Sequence, residues 1–336
     1  MSLAAVVMAA GEGKRLHTRR AKVLHEAGGR ALIDWVLGAI EPLDVRPVVV
    51  VIGHLREQVA THLAGRGMIT AVQDPPRGTG DAVMQALPYL PESGEALVVS
   101  GDTPLLTTGS LKALLAARRR ASAALAVATA VLPDAGAYGR ILRDTGGDVV
   151  GIVEARDATP EQRLIGEVNV GAYAFDLPSL RPLLAALSPD NAQGEYYLTD
   201  VIGHAVRHGW RAVASVFADP SEMTGVNTRA ELAAVHRTLN ARMLGELMTS
   251  GVTVLDPATT WVEATCTVGR DSVLEPGVHL RQGCRVGEGC RIGAHAVLDG
   301  VTVPDGGVIA PLARVVGGLG PADHAAGTVP LARAKD

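Results

Sequence analysis

The chain has no excess of positive charge: 31 Lys and Arg stand against 35 Asp and Glu, a net charge of −4 at pH 7. That balance argues against a general electrostatic partnership with nucleic acid. The only basic cluster, Arg118-Arg119-Arg120, closes an Ala/Leu-rich helical stretch and is expected to be a solvated helix end. Long hydrophobic runs are lacking too. The apolar stretch from Leu3 to Ala10 is too short for a membrane span, has no basic region before it and ends in charged residues. A cytoplasmic protein with no membrane partner is expected. The 336 residues suffice for two domains with real cores, and 47% hydrophobic with 20% charged residues is ordinary for a soluble protein.

The first strand, Leu3 to Ala10, runs into Gly11-Glu12-Gly13-Lys14-Arg15, and Lys22 follows. Closely spaced glycines after an apolar strand expose backbone N–H groups to a nucleotide, and Arg15 and Lys22 add fixed positive charge for a polyphosphate. Other phosphate motifs fit badly. A Rossmann fingerprint needs glycine where Leu16 stands, and a P-loop needs glycine at Met8 and Ser or Thr where Arg15 stands. By itself the segment is equally readable as a simple turn.

Up to residue 227, apolar strand-like runs alternate with helical patterns, as in Pro47–Ile52 and Ala96–Asp102. The alternation implies an α/β domain with a mostly parallel sheet, and ligands of such sheets gather at the carboxyl ends of the strands. Gly11, Gln73 and Asp102 stand at or just beyond such ends. Leu232, Val235, Leu239, Met243 and Leu247 describe an amphipathic helix within a connecting arm, 228–251.

From 252 to 316 the period becomes six: Val262, Val268, Leu274, Leu280, Val286, Ile292 and Leu298. This is the pattern of a hexapeptide parallel β-helix. Small or apolar residues stand four positions after each: Cys266, Ser272, Val278, Cys284, Cys290, Ala296 and Thr302. All three cysteines occupy that class of position. With three hexapeptides per coil, Cys266 and Cys284 stack and Cys290 falls on the next face; packing is the expected role, with a metal or redox site as the competing one. After Leu298 the repeat is expected to weaken, with Pro304, Ala310 and Val316 in the aliphatic places, leaving about three regular coils. Residues 317–336 read as a loosely held tail.

Asp102 follows a continuous apolar strand, with Pro104 turning the chain away. A carboxylate there suits magnesium, which commonly takes one or two protein oxygens beside substrate phosphates, although an Asp opening a turn is also a common structural residue. Gln73 heads the loop that runs to Asp81, between a strand and a helix, whose glycines let backbone groups reach a base edge while the amide can donate and accept.

Eight motifs taken in order resemble one family. They are Gly11-Glu12-Gly13-Lys14-Arg15 with Lys22-Val23-Leu24-His25, Gln73 with Gly78-Thr79-Gly80, Ser100-Gly101-Asp102, Tyr138-Gly139-Arg140-Ile141, Gly151-Ile152-Val153-Glu154, Glu167-Val168-Asn169-Val170-Gly171, Asn191 through Asp200, and Gly225-Val226-Asn227. The order and spacing resemble the bacterial bifunctional N-acetylglucosamine-1-phosphate uridylyltransferase/glucosamine-1-phosphate acetyltransferase. The resemblance implies a Rossmann-like nucleotidyltransferase domain with a mostly parallel mixed sheet, 1–227, followed by a short left-handed β-helix. It implies UTP and N-acetylglucosamine-1-phosphate as substrates, Mg2+ as cofactor, and a homotrimer formed through the β-helix. By the same resemblance Ala9, Ala10, Gly11, Gly13, Gln73, Gly78 and Thr79 would hold the nucleotide, and Arg15, Lys22 and Asp102 would carry the chemistry. Asp102 and Asn227 would bind the metal; Gly139, Glu154, Asn169, Tyr197 and Thr199 would face the amino sugar. Read without the family, Gly139 is equally a turn and Asn169 a satisfied strand-end amide.

The chain departs from the family at several positions. Lys14 stands where threonine is usual, Ala21 where proline precedes the lysine, and Pro76 where many relatives carry a second glutamine, which costs one contact to the base edge. The acetyl-coenzyme A motifs of the longer proteins do not follow Ala310-Pro311-Leu312-Ala313-Arg314, so acetyl transfer is expected to be absent. Three alternatives stay open: a nucleotidylyltransferase for another hexose-1-phosphate or another base; from a different class, a hexapeptide acyltransferase using acetyl-CoA; and a non-catalytic sugar-nucleotide sensor, against which the retained Arg15, Lys22, Asp102 and Asn227 argue.

Overall fold

The computed structural model describes residues 2–317, which divide into two compact units. The first comprises residues up to His25 and Leu32–Glu231; the second comprises Glu26–Ala31 together with the chain from Leu232 onward. The hairpin at 26–31, which the sequence places inside a continuous first domain, thus clusters with the second unit: the Gly28 carbonyl accepts the Ala264 N–H at 2.9 Å. The expected tail from 318 onward lies outside the described residues; Gly317 is still in the ladder, its N–H on the Asp299 carbonyl.

The first unit is built on a nine-stranded mixed sheet. Its strands are β1 (Leu3–Ala9), β2 (Val48–Ile52), β3 (Ile69–Val72), β4 (Glu95–Ser100), β5 (Leu125–Val131), β6 (Arg140–Arg143), β7 (Val149–Val153), β8 (Glu167–Asp176) and β9 (Ala212–Val216). The order is β9-β5-β8-β4-β1-β2-β3, with the β6–β7 hairpin attached to β8. β1 lies at the centre, parallel to both β2 and β4, and its continuous run of small and branched apolar residues is the signature of a strand covered on both faces. Along the seven-strand path β8 runs antiparallel to its neighbours β4 and β5, and the β6–β7 hairpin adds further antiparallel pairs. Asn169 still pairs with Thr129 of β5; between it and Tyr173 β8 bulges and the register shifts, with Gly171 at φ +82°.

Helices α1 (Leu32–Ile40), α2 (Arg56–Leu63), α3 (Thr79–Ala86), α4 (Thr108–Ala121), α5 (Leu177–Ala185) and α6 (Val201–Arg207) belong to this unit. α4 is capped by Thr107, whose hydroxyl accepts the Ser110 N–H at 3.2 Å. Its basic end corrects the expectation of a solvated cluster: Arg118 is buried, and Arg118 and Arg119 both clasp the fully buried Glu95 at 2.6 and 2.5 Å.

The long helix α7 (Arg229–Thr249) starts at a capping box. Glu231 accepts the N–H groups of Asn227 and Thr228, both at 2.7 Å, and the Thr228 hydroxyl accepts the Glu231 N–H. Its buried residues are Val235, Leu239, Asn240 and Leu244. Leu244 therefore takes the inner place that the spacing gives to Met243.

The second unit is a short left-handed β-helix of parallel ladders. Inward aliphatic residues stack as Val254-Leu274-Ile292-Ile309, Val262-Leu280-Leu298-Val315 and Val268-Val286-Val303. The repeat does not weaken after Leu298; it changes frame. After a first step of 20 from Val254 to Leu274, coils pair at a spacing of 18 residues from Val262↔Leu280 to Leu280↔Leu298, then Val286 pairs Val303, 17 residues on. The shortening is local. Where the lower coil turns through Gln282 and Gly283, both left-handed, the next turns through Gly300 alone at φ +61°. Val303, Ile309 and Val315 are thus the inward residues, not Pro304, Ala310 and Val316, and Val301 replaces the exposed Thr302 at the small position. Cys284 and Cys290 are buried and Cys266 half-buried; all three are free thiols, and the Cys284 Sγ donates to the Arg281 and Leu298 carbonyls.

Candidate active site

A cleft of about 450 Å³ opens at the carboxyl end of β1. Ala9, Ala10 and Gly11 form one wall, Gln73, Gly78 and Thr79 another, and Lys22 and Asp102 lie on its floor. Gly13 and Arg15 are not among the lining residues. Gly13, at φ +62°, instead packs beside the Lys22 stem, and Arg15 is exposed with no side-chain partner among the described residues.

The loop from Gly11 to Lys22 is held from α2. Gln58 accepts the Ala21 N–H at 2.9 Å and donates to the Arg19 carbonyl at 3.0 Å. A proline at position 21 has no N–H to give, so Ala21 and Gln58 together replace ring stiffness with a hydrogen bond. The charge of Lys14 is met by Glu12 at 2.6 Å on the open surface.

The opposite wall is fixed by the segment Asn191–Leu198. The Gly80 N–H donates to the Tyr196 carbonyl at 2.7 Å, the Tyr196 N–H to the Arg77 carbonyl, and the Leu198 N–H to Thr79 Oγ1 at 3.0 Å. Gly78 has φ +106°, and a Cβ there would lie 2.6 Å from the Tyr196 carbonyl, so both conformation and space require glycine.

On the floor, Lys22 Nζ donates to Asn227 Oδ1 at 2.8 Å and pairs directly with Asp102 Oδ2. Ser100 Oγ donates to Asp102 Oδ1 at 2.6 Å, and the Val226 N–H donates to the Asp102 carbonyl. Ser100 lies inside a motif the sequence singled out, yet its role as the anchor of Asp102 emerges only here. Asp102 and Asn227 thus present two oxygens that converge on one cation, the lysine ammonium. Gly225 keeps the space beside them open: a Cβ there would be 3.8 Å from both Asp102 oxygens. Such a donor set fits a hard divalent cation, whose remaining ligands come from water and substrate phosphate.

A second cluster gathers around β6, β7 and β8. Thr199 Oγ1 donates to Glu154 Oε1 at 3.0 Å. Burial pushes the Glu154 carboxyl above its ordinary value, aided by Asp200 and Asp157 and opposed by the Thr199 bond. A Cβ on Gly139 would lie 2.9 Å from Ile152 Cγ2 and 3.4 Å from Glu154 Oε2, and its carbonyl accepts the Asn169 N–H. Asn169 Oδ1 takes the Gly171 N–H, while Nδ2 donates to the Tyr173 hydroxyl at 2.8 Å. The Tyr197 hydroxyl accepts from Gln193 at 2.6 Å.

Fold and site together define an α/β nucleoside-triphosphate transferase domain followed by hexapeptide repeats. Residues 5–196 match the MobA-like NTP transferase domain, and residues 265–300 match the bacterial transferase hexapeptide model of six repeats. The chain belongs to the family of the bifunctional protein GlmU. It is 46% identical to that protein of Streptomyces coelicolor over 93% of this chain and 68% of the relative. With the GlmU of Thermobifida fusca it shares 47% identity over 83% of this chain and 59% of the relative. With that of Mycobacterium tuberculosis the identity is 43%, over 90% and 63% respectively. The chain spans about three fifths to two thirds of the length of these relatives.

Proposed function

We propose that the chain transfers UMP from UTP to N-acetylglucosamine-1-phosphate, giving UDP-N-acetylglucosamine and pyrophosphate. The observation that carries this reading is the closure of Lys22 on Asp102 and Asn227 at the floor of a cleft walled by Gly11, Gln73 and Thr79. Asp102 and Asn227 would hold Mg2+. Bound there, the ion supplies charge neutralisation to substrate phosphate oxygens.

The acceptor needs no general base, because a phosphate monoester with a second pKa near ~6 is largely ionised at neutral pH. The chain's task is positioning and charge. Lys22 steadies the phosphate oxygens as the sugar phosphate meets the α-phosphorus in line, and Arg15 with the N–H groups of the Gly11–Gly13 loop holds the departing pyrophosphate. Ala9, Ala10, Gln73, Gly78 and Thr79 orient the nucleoside. Gly139, Glu154, Asn169, Tyr197 and Thr199 receive the amino sugar, with Glu154 as acceptor for its hydroxyl or amide hydrogens. The β-helix serves as a trimerisation element, to be checked by light scattering.

The test is pyrophosphate release with magnesium and UTP, comparing N-acetylglucosamine-1-phosphate, glucosamine-1-phosphate and glucose-1-phosphate. Release that depends on the acetylated sugar and stops with EDTA is the expected result. Release only with another sugar or nucleotide moves the substrate and keeps the mechanism; none with any pair overturns the reading.

A further inference from the structure

Gln73 follows β3 at the wall of the cleft and is only 4% exposed. Its side-chain nitrogen donates to two groups that can only accept: the Gly78 carbonyl at 2.9 Å and Asp81 Oδ2 at 2.8 Å. Asp81, in the first turn of α3, is 1% exposed and held from its other side, where Oδ1 accepts from Arg77 at 2.8 Å and Gln85 at 3.2 Å. An amide has one donating end and one accepting end. With the NH2 committed twice, Oε1 is the end left to meet a ligand.

We propose that Asp81 is a positioning residue that locks the polarity of the Gln73 amide, so that the cleft offers a base one fixed acceptor and thereby selects an imide N–H over a ring-nitrogen lone pair. This rests on the nucleotide reading of the cleft. Uracil carries hydrogen on N3 and can donate to Oε1. Cytosine carries a lone pair there, so two acceptors face each other and the buried oxygen is left unpaired. The lock matters more here because Pro76 cannot supply a second amide contact to the base. A carboxylate suits the task better than an amide or hydroxyl would, since it cannot donate and therefore cannot hold Gln73 the other way round. Asp81 as no more than a first-turn acid favouring a helix N-terminus is the competing account, and it makes a different forecast.

The experiment is calorimetric titration of the protein with UTP and CTP, each with magnesium, in wild type and in Asp81→Asn. In the variant, Arg77 and Gln85 keep the amide oxygen on their side, so the new NH2 opposes the NH2 of Gln73. Loss of one charge-assisted hydrogen bond's worth of orientation lowers the UTP-to-CTP affinity ratio by about tenfold. A purely structural Asp81 weakens both nucleotides alike, and a folded Asp81→Asn protein that keeps the wild-type ratio overturns the inference. Asp81→Ala, which removes the acceptor without adding a donor, serves if Asp81→Asn does not fold. A check that needs no variant is UTP methylated at N3: wild type should bind it no better than CTP, and binding equal to UTP overturns the acceptor polarity. If wild type binds neither UTP nor CTP, the nucleotide reading itself falls. If it binds both alike, that reading stands and the lock does not.

Discussion

Lys22 and Asp102 form an ion pair with side chains only 13% and 12% exposed, and the same ammonium reaches Asn227. The lysine therefore occupies the place between two oxygens that a divalent cation would also seek.

Competition follows from that geometry. Lys22→Ala should bind Mg2+ more tightly than wild type in the absence of nucleotide, by calorimetric titration, while pyrophosphate release falls about 100-fold or more. Asp102→Ala should lose both. A folded Asp102→Ala protein with near-normal turnover removes the metal assignment.

In the proposed sugar site, Glu154 couples sugar binding to pH. Its raised value means that the folded protein favours the protonated form; the stability so gained is fully present below the ordinary value of 4.5 and is lost as pH rises through the raised one. In the proposed site the ionised form is the stronger acceptor for hydrogen bonds from a sugar. The acid limb of kcat/KM for the sugar phosphate should lie above 4.5 and disappear in Glu154→Gln. That variant should show a KM about tenfold higher and an equal or higher melting temperature near neutral pH.

Glu95 behaves in the opposite sense. Burial pushes its carboxyl up, but the hydrogen bonds from Arg119 and Arg118 outweigh burial and hold it below 4.5. The stabilisation is full above that ordinary value and is lost as pH falls through the depressed one. Glu95→Ala leaves two guanidinium groups unpaired, one of them buried. It should destabilise the first unit by about 3 kcal/mol in urea unfolding.

Asn240 bridges helix and coil in the second unit. Its Nδ2 donates to the Thr260 carbonyl at 2.9 Å and its Oδ1 accepts the Val262 N–H at 3.0 Å. Asn240→Leu strands both backbone groups and should cost about 2 kcal/mol. Hydrogen exchange at the Val262 amide should accelerate, and nucleotide affinity should stay unchanged.

The sheet was legible because β1, β2 and β4 are apolar at consecutive positions, a pattern that only doubly covered strands need. Two residues of the cleft were legible for a related reason: Gly11 in its wall and Asp102 on its floor each stand two positions after the end of such a strand. Asp81 was not, because a carboxylate in a helix's first turn is commonplace, and only its contact with Gln73 gives it meaning. Arg118 misled in a similar way. Three consecutive arginines look solvated until a buried carboxylate, 23 residues earlier in the chain, is brought beneath them. The β-helix was legible up to Leu298 and then lost, because a strict count of six assumes that every corner has the same length.

The corners of that helix vary in both directions. From Val254 to Leu274 the stacked residues are 20 apart, from Leu280 to Leu298 they are 18 apart, and from Ile292 to Ile309 they are 17 apart. Each turn around the prism closes on the one beneath it through hydrogen bonds along the flat sides, so a residue gained or lost at a vertex is absorbed there and does not propagate upward. The outline of the prism can accordingly be redrawn vertex by vertex, with the segment Asp256–Thr260 already enlarged, while the interior column of aliphatic side chains stays aligned.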